Sequence, residues 1–148
     1  MFLEVKAIDT FYGIFQAIFQ VSLDLDQGQV VSLLGRNGAG KSTTLKSIVG
    51  LCRPSAGSVR FKGMEICGRK PFRIARMGIG FVPENRWIFA ELTVKENLDL
   101  GLRKRERQSM TGALEKVYGL FPKLKTMETR VAGTLSGGEQ QMLTVGRT

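Results

Sequence analysis

The sequence predicts an α/β protein: a core built on one strand–loop–helix unit, joined to an antiparallel β subdomain and a helical subdomain. Three observations point there. Residues 35–43 read G-R-N-G-A-G-K-S-T, in which Gly35, Gly40, Lys41 and Ser42 fit the phosphate-loop pattern G-x-x-x-x-G-K-[ST]. A short apolar run, Val30 to Leu34, precedes that loop, and Leu45, Ile48 and Val49 recur at helical spacing behind it. Alternation of apolar and polar residues marks the early part of the chain, whereas helical periodicity takes over from Glu84.

Taken in order, Leu3 to Asp9 is the first expected strand, with Leu3, Val5 and Ala7 on one side and Phe11-Tyr12-Gly13 breaking it. Phe19, Val21, Leu23 and Leu25 alternate with Gln20, Ser22, Asp24 and Asp26, as in a half-buried strand. Gln27-Gly28 turns the chain into Val30–Leu34, so these two strands are expected to pair antiparallel. The nearly unbroken apolar character of Val30–Leu34 suits a strand buried on both faces. Behind the loop helix, Cys52 to Gly57 is turn-rich. Val59 and Phe61 alternate with Arg60 and Lys62, and Gly63 leads into Met64 to Ile66, which predicts a small hairpin outside the main parallel sheet. Pro71 to Met77 suits a short helix with Pro71 in its first turn, and Ile79 to Val82 a further apolar strand ended by Pro83. Thr93 and Glu96 make a capping box in front of a Val94, Leu98, Leu102 stripe. Met110, Leu114, Val117, Tyr118 and Phe121 form a second helical stripe, closed by Pro122.

The 148 residues suffice for one domain with a real core, and contents of 43% hydrophobic and 24% charged residues are ordinary for a globular protein. The N-terminal M-F-L-E-V-K-A-I-D carries charges and alternates, unlike a signal peptide, and no stretch approaches a spanning helix. Cys52 and Cys67 have neither a C-x-x-C neighbour nor any histidine to share a metal with, which favours two buried reduced thiols in a cytosolic protein. A net charge of +9 raises the question of a nucleic-acid partner. Only Arg103 to Arg107, R-K-R-E-R, form a cluster, and a solvated surface or attraction to polyphosphate or anionic lipid explains the charge equally well.

The loop has the chemistry of an anion cradle. Gly35, Gly38 and Gly40 let successive N–H groups turn inward with no Cβ in the way, and the positive end of the following helix completes the site. Lys41 reaches the outer phosphates and the Ser42 hydroxyl ligates magnesium in such loops. The competing reading is a glycine-rich turn with a lone lysine; the bare pattern arises by chance in on the order of one per cent of chains this long. A second element is L-S-G-G-E-Q-Q at 135–141. Ser136 and Glu139 fit a capping box, so a well-capped helix start accounts for them. Gly137 and Gly138 argue for more, because glycine there costs roughly 1 kcal/mol each relative to alanine unless a backbone or ligand must come close. A hydroxyl beside bare N–H groups at a helix start is a second anion site.

These two motifs, in this order, resemble the nucleotide-binding subunit of an ABC transporter, and the resemblance covers essentially the whole chain. It implies a P-loop NTPase core of the ABC type, in residues 1–83 with its β subdomain, a mainly helical subdomain in 84–134, and the signature motif with its helix in 135–148. It implies ATP and Mg2+ as cofactors, held by Gly35, Arg36, Asn37, Gly38, Ala39, Gly40, Lys41, Ser42 and Thr43, with Lys41 and Glu84 catalytic and Ser42 and Glu84 on the metal. Tyr12 falls where the family places an aromatic that stacks on adenine. Ser136, Gly137, Gly138 and Glu139 would cover the nucleotide of a second subunit. The segment V-P-E-N-R-W-I-F-A-E-L-T-V-K-E-N-L, Val82 to Leu98, is similar to the subgroup serving branched-chain amino acid importers. Most of the wider family has glutamine in place of Glu84; a carboxylate can still bind magnesium or water there, with different electrostatics.

The implied partners are a second ATP-binding subunit, identical or paralogous, transmembrane permease subunits and, indirectly, a solute-binding protein, at the cytoplasmic face of the inner membrane. No nucleic acid is expected. The family pattern continues with an apolar strand ending in aspartate and glutamate, and later a histidine, none of which occurs in these 148 residues. The expectation is therefore an N-terminal portion with the C-terminal core strands missing, without turnover by itself and with apolar surface and a sheet edge left open. Two other readings stay open: a nucleotide-binding fragment without catalysis, and a soluble ABC-type ATPase acting on nucleic acid or ribosomes.

Overall fold

A computed structural model describes residues 1–101 and 110–148, without the side chains of 110 and 111. The expected basic cluster Arg103–Arg107 and the stripe position Leu102 lie outside the described residues. The chain divides into two compact units, Met1–Ile79 and Gly80–Thr148, and each is described by itself.

The first unit contains β1 (Leu3–Tyr12), β2 (Phe15–Leu25), α1 (Lys41–Ile48), β3 (Ala56–Phe61), β4 (Met64–Glu65) and α2 (Pro71–Arg76). Its four strands form one sheet in the order β2-β1-β3-β4, with every neighbouring pair antiparallel. Val5, Ile8, Ile18, Val59 and Phe61 turn from the sheet into a core shared with Ile48, Ile66 and Ile74. Val5 and Ile8 are three apart yet both buried, which strict alternation forbids. A register break between them, with Ala7 at φ 46° and Gln20 at φ 43°, resolves the conflict. Side chains catch two amides at these positions: Ala7 N–H donates to Ser22 Oγ at 2.8 Å and Gln20 N–H to Asp9 Oδ1 at 2.7 Å.

Several expected elements differ. β1 continues through Phe11 and Tyr12, and the chain turns at Gly13, whose φ is 59°. The partner of β2 is β1, so the expected pairing of β2 with Val30–Leu34 does not occur. Residues 30–34 and 79–82 are not strands. A strand buried on both faces needs a ladder on each side, and neither segment has one among the described residues; Val30 and Leu34 are 94% and 90% exposed. The β3–β4 hairpin forms, but β3 also pairs with β1, so it belongs to the one antiparallel sheet rather than lying outside it.

The second unit holds α3 (Val94–Gly101), α4 (Met110–Leu120), α5 (Pro122–Lys125), a 3-10 turn at Ala132–Thr134 and α6 (Gly137–Arg147). Val94, Leu98, Leu124, Met127, Ala132, Leu135 and Leu143 form its core, against which Leu114, Val117, Tyr118 and Phe121 pack. Phe121 has left α4 and stands as the N-cap of α5, with Pro122 at the first helical position. The capping box at Thr93 closes both ways: Thr93 N–H donates to Glu96 Oε2 at 2.8 Å and Glu96 N–H to Thr93 Oγ1 at 3.2 Å. The first of these bonds lowers the pKa of Glu96. Glycines bring α6 close to its neighbours: a Cβ on Gly101 of α3 would overlap the Arg147 carbonyl, and one on Gly146 would lie 2.8 Å from Val117 Cγ1 of α4 and 3.4 Å from Leu98 Cδ2 of α3. No helix among the described residues is long and apolar enough to cross a membrane.

Asn97 organises the approach to α3. Fully buried, it accepts from Phe89 N–H at 2.9 Å and donates to the carbonyls of Phe89 at 2.9 Å and Thr93 at 3.0 Å. Asn97→Ala leaves these backbone groups without their partner, and calorimetry should find the chain destabilised by about 2 kcal/mol.

Candidate functional site

The loop at 35–43 is built on the β1–β2 face of the first unit. The buried hydroxyls of Thr10 on β1 and Ser47 on α1 share a hydrogen bond of 2.9 Å, and Ile48 enters the core beside them. Ile18 of β2 lies directly under the loop's last glycine, where a Cβ on Gly40 would sit 2.4 Å from Ile18 Cγ2. Gly35, Gly38 and Gly40 have φ values of 153°, 86° and 86°, which L side chains adopt only with strain. Ala39 N–H donates to the Arg36 carbonyl at 3.1 Å, and Thr44 N–H to that of Gly40 at 2.8 Å. Lys41 holds the turn closed from inside: its Nζ donates to the Gly35 carbonyl at 2.8 Å and to the Arg36 carbonyl at 2.9 Å. The N-cap of α1 is Gly40, with no side-chain cap bond, and the first turn carries no acidic residue. An amide-rich, cationic helix start of this kind fits an anion and offers nothing to repel it.

Arg36, Asn37, Gly38 and Ala39 lie exposed on this loop, with Ser42 and Thr43 half-buried in the first turn of α1. Cys52 and Cys67 are free thiols but only half-buried, not buried as expected, because each sits in a loop at the edge of the core. Tyr12 ends β1 half-exposed. Its hydroxyl accepts from Cys52 Sγ at 3.1 Å, and Cys52 N–H donates to the Lys46 carbonyl at 3.2 Å, which ties the ring to the last turn of α1.

In the second unit, Glu84 is exposed in a turn. Ser136 caps α6 with extended backbone: its N–H donates to Glu139 Oε2 at 2.8 Å, and Glu139 N–H donates back to Ser136 Oγ at 3.4 Å. Glu139 also pairs with Lys123 Nζ at 2.9 Å. That bond, followed by those from Ser136, brings the Glu139 carboxyl down to about 2. A Cβ on Gly138 would meet nothing within 4 Å, so this position opens outward. The structure therefore brings Gly35, Arg36 and Lys41 together, and joins Ser136 to Glu139. Among the described residues, no three His, Cys, Asp or Glu side chains cluster as a metal site.

Sequence reasoning missed the Lys123 partner of Glu139, which is distant in sequence and follows no motif. It also missed Asn97, whose only signal is a polar residue at a core position of α3.

The depressed Glu139 value gives a pH prediction. A carboxylate lowered in the folded state stabilises it above the unfolded carboxylate range near pH ~4.3, and this contribution is lost as pH falls toward about 2. Glu139→Gln should thus melt below the parent chain at pH 7, with the gap closing as the pH falls through 4. An unchanging gap would contradict the ion pair.

A family model described as ABC transporter matches residues 18–148. The chain belongs to the ABC transporter family. Among curated ABC proteins, it is 43% identical over 145 residues to the high-affinity branched-chain amino acid transport ATP-binding protein BraG of Pseudomonas aeruginosa, covering 98% of this chain and 62% of that one. It is 36% identical to the probable branched-chain amino acid transport ATP-binding protein LivF of Archaeoglobus fulgidus, covering 95% and 60%. The sulfate/thiosulfate import ATP-binding protein CysA of Pseudomonas syringae pv. tomato is 35% identical, with coverage of 99% and 46%. The chain thus spans about three fifths of the length of the first two. Among solved structures, an ATP-binding subunit of an ABC transporter superposes with a TM-score of 0.84 at 29% identity, covering 100% of this chain and 61% of that one. A dimeric structure of a bacterial ABC transporter cassette gives 0.82 at 26%, covering 98% and 68%. This ABC chain therefore has the α/β cassette fold that its sequence predicts.

Proposed function

We propose that this chain is the ATP-binding part of an importer subunit, which couples ATP binding and hydrolysis to the uptake of amino acids, branched-chain ones in particular. The observation that carries the reading is the loop at 35–43, where three glycines with positive φ and an inward lysine crown an uncapped helix start. Backbone amides from Gly35 to Thr43 would take the phosphates, Lys41 would neutralise the outer ones, and Tyr12 would stack on adenine. Sequence motif alone assigns the Ser42 hydroxyl and Glu84 carboxylate to Mg2+, a hard cation that takes few protein oxygens. When bound, Mg2+ neutralises charge on the transferring phosphoryl group. Ser136, Gly137 and Gly138 of a second copy would cover the same nucleotide, with Glu139 holding their corner in shape; the dimeric cassette among the structural neighbours supports such pairing.

The solute class rests on the likeness to the two branched-chain proteins; the sulfate/thiosulfate relative, at lower identity, is the competing assignment. Permease subunits would hold the chain at the inner membrane. These 148 residues lack histidine and the apolar strand that ends in Asp-Glu, so by themselves they are expected to bind ATP with phosphate release no faster than in Lys41→Ala. The deciding experiment is sedimentation of the chain with and without Mg·ATP. Self-association that requires nucleotide supports the reading, and binding that leaves a monomer overturns the shared-site part of it.

A further inference from the structure

Gly137 and Gly138 are neighbours at the start of α6, yet their surroundings differ. A Cβ on Gly137 would lie 2.5 Å from Nη1 of Arg86, 3.0 Å from its Cζ and 3.2 Å from Nη2, whereas one on Gly138 would meet nothing within 4 Å. The guanidinium plane of Arg86 therefore rests on the bare Cα of Gly137. Helix propensity alone would favour alanine at this position, and within the chain the group standing where that side chain would go is the guanidinium end of Arg86. Arg86 itself is held in the left-handed region, at φ 47°, a strained conformation for a residue with a Cβ that persists only where surrounding contacts impose it.

Those contacts fix the whole stretch after Glu84 to α6. At the far end of the helix, Arg147 Nη2 donates to the Trp87 carbonyl, and its guanidinium carbon stands 4.9 Å from the centre of the Phe89 ring. Ile88 N–H donates to the Arg86 carbonyl at 2.7 Å, and Asn97 holds both backbone groups of Phe89. Residues 86–89 thus run beside α6 and are clamped at its first and last residues.

We propose that Arg86 is a positioning residue that couples the Glu84 segment to the serine–glycine corner of the same chain, and that Gly137 lacks a side chain to make room for it. The functional weight of this coupling rests on the reading above, in which Glu84 contacts the metal and the corner covers a phosphate. A shift of the Glu84 segment would then be handed to the corner through the Arg86 plate, while Gly138 keeps an open flank.

Trp87 is the one tryptophan in the chain, so its fluorescence reports on this segment without a label. The test compares Gly137→Ala, Gly138→Ala, Arg86→Ala and the double variant Arg86→Ala/Gly137→Ala in the full 148-residue chain, with thermal melts confirming that each folds. Gly137→Ala should raise acrylamide quenching of Trp87 about twofold, Gly138→Ala should leave it unchanged, and the double variant should match Arg86→Ala. In Mg·ATP-driven self-association, Gly137→Ala should cost roughly tenfold, with removal of Arg86 recovering most of it; a loss in Gly138→Ala should not be recovered. Equal quenching in the two glycine variants, or additive effects in the double variant, would overturn the coupling. If the parent chain does not self-associate with Mg·ATP, the shared-site reading fails, and the quenching arm alone decides whether Arg86 and Gly137 are coupled.

Discussion

Lys41→Ala is expected to lower the affinity of the chain for Mg·ATP by roughly 100-fold, equivalent to about 2.7 kcal/mol. The lysine acts twice. In the structure it spans the loop, with Nζ on the carbonyls of Gly35 and Arg36 at 2.8 and 2.9 Å. These bonds are exposed, so solvent screens them and their loss alone costs little stability. Most of the expected loss would come from removing a cation beside a bound polyphosphate, where charge-assisted bonds are worth about 1.5–3 kcal/mol each. Isothermal titration measures the effect, and Lys46→Ala in the last turn of α1 is the control for simple charge loss. An affinity equal to that of the parent would remove Lys41 from the site, and the phosphate reading with it.

Gly40→Ala should be strongly disruptive for a single methyl, destabilising the chain by about 2–5 kcal/mol. Two costs add. The φ of 86° places a Cβ in the left-handed region at about 1–2 kcal/mol. The Cβ would also stand 2.4 Å from Ile18 Cγ2, and overpacking of this kind costs about 1–3 kcal/mol. Gly38→Ala has the same φ of 86° with nothing within 4 Å, so it should show the backbone cost alone. Chemical unfolding of the two variants separates backbone strain from overpacking. Equal losses would mean that Ile18 yields freely and that β2 does not brace the loop.

Local chemistry made much of this molecule legible. The two capping boxes, Thr93 with Glu96 and Ser136 with Glu139, form as their spacing predicts, because each is closed within one helical turn. The phosphate-loop pattern marked the three positive-φ glycines for the same reason. What escaped were features decided by distant partners. Val30–Leu34 has the composition of a buried strand, but composition cannot supply a ladder, and the segment stays without strand pairing among the described residues. The bulge that lets both Val5 and Ile8 face the core hides from any period-two reading. Lys123 and Glu139 meet only because α5 and α6 pack together, and the Arg86 plate on Gly137 is equally non-local. For the candidate site, sequence marked the glycine loop and the capped corner; which neighbours brace them became visible only in three dimensions.

The bare flanks of Gly101 and Gly146 set how the second unit responds to force. With no side chain to act as a cushion, backbone presses on backbone at Gly101 and on a β-branched side chain at Gly146. Such joints leave little room for gliding, so α6 is expected to move with α3 at Gly101 and with α4 at Gly146.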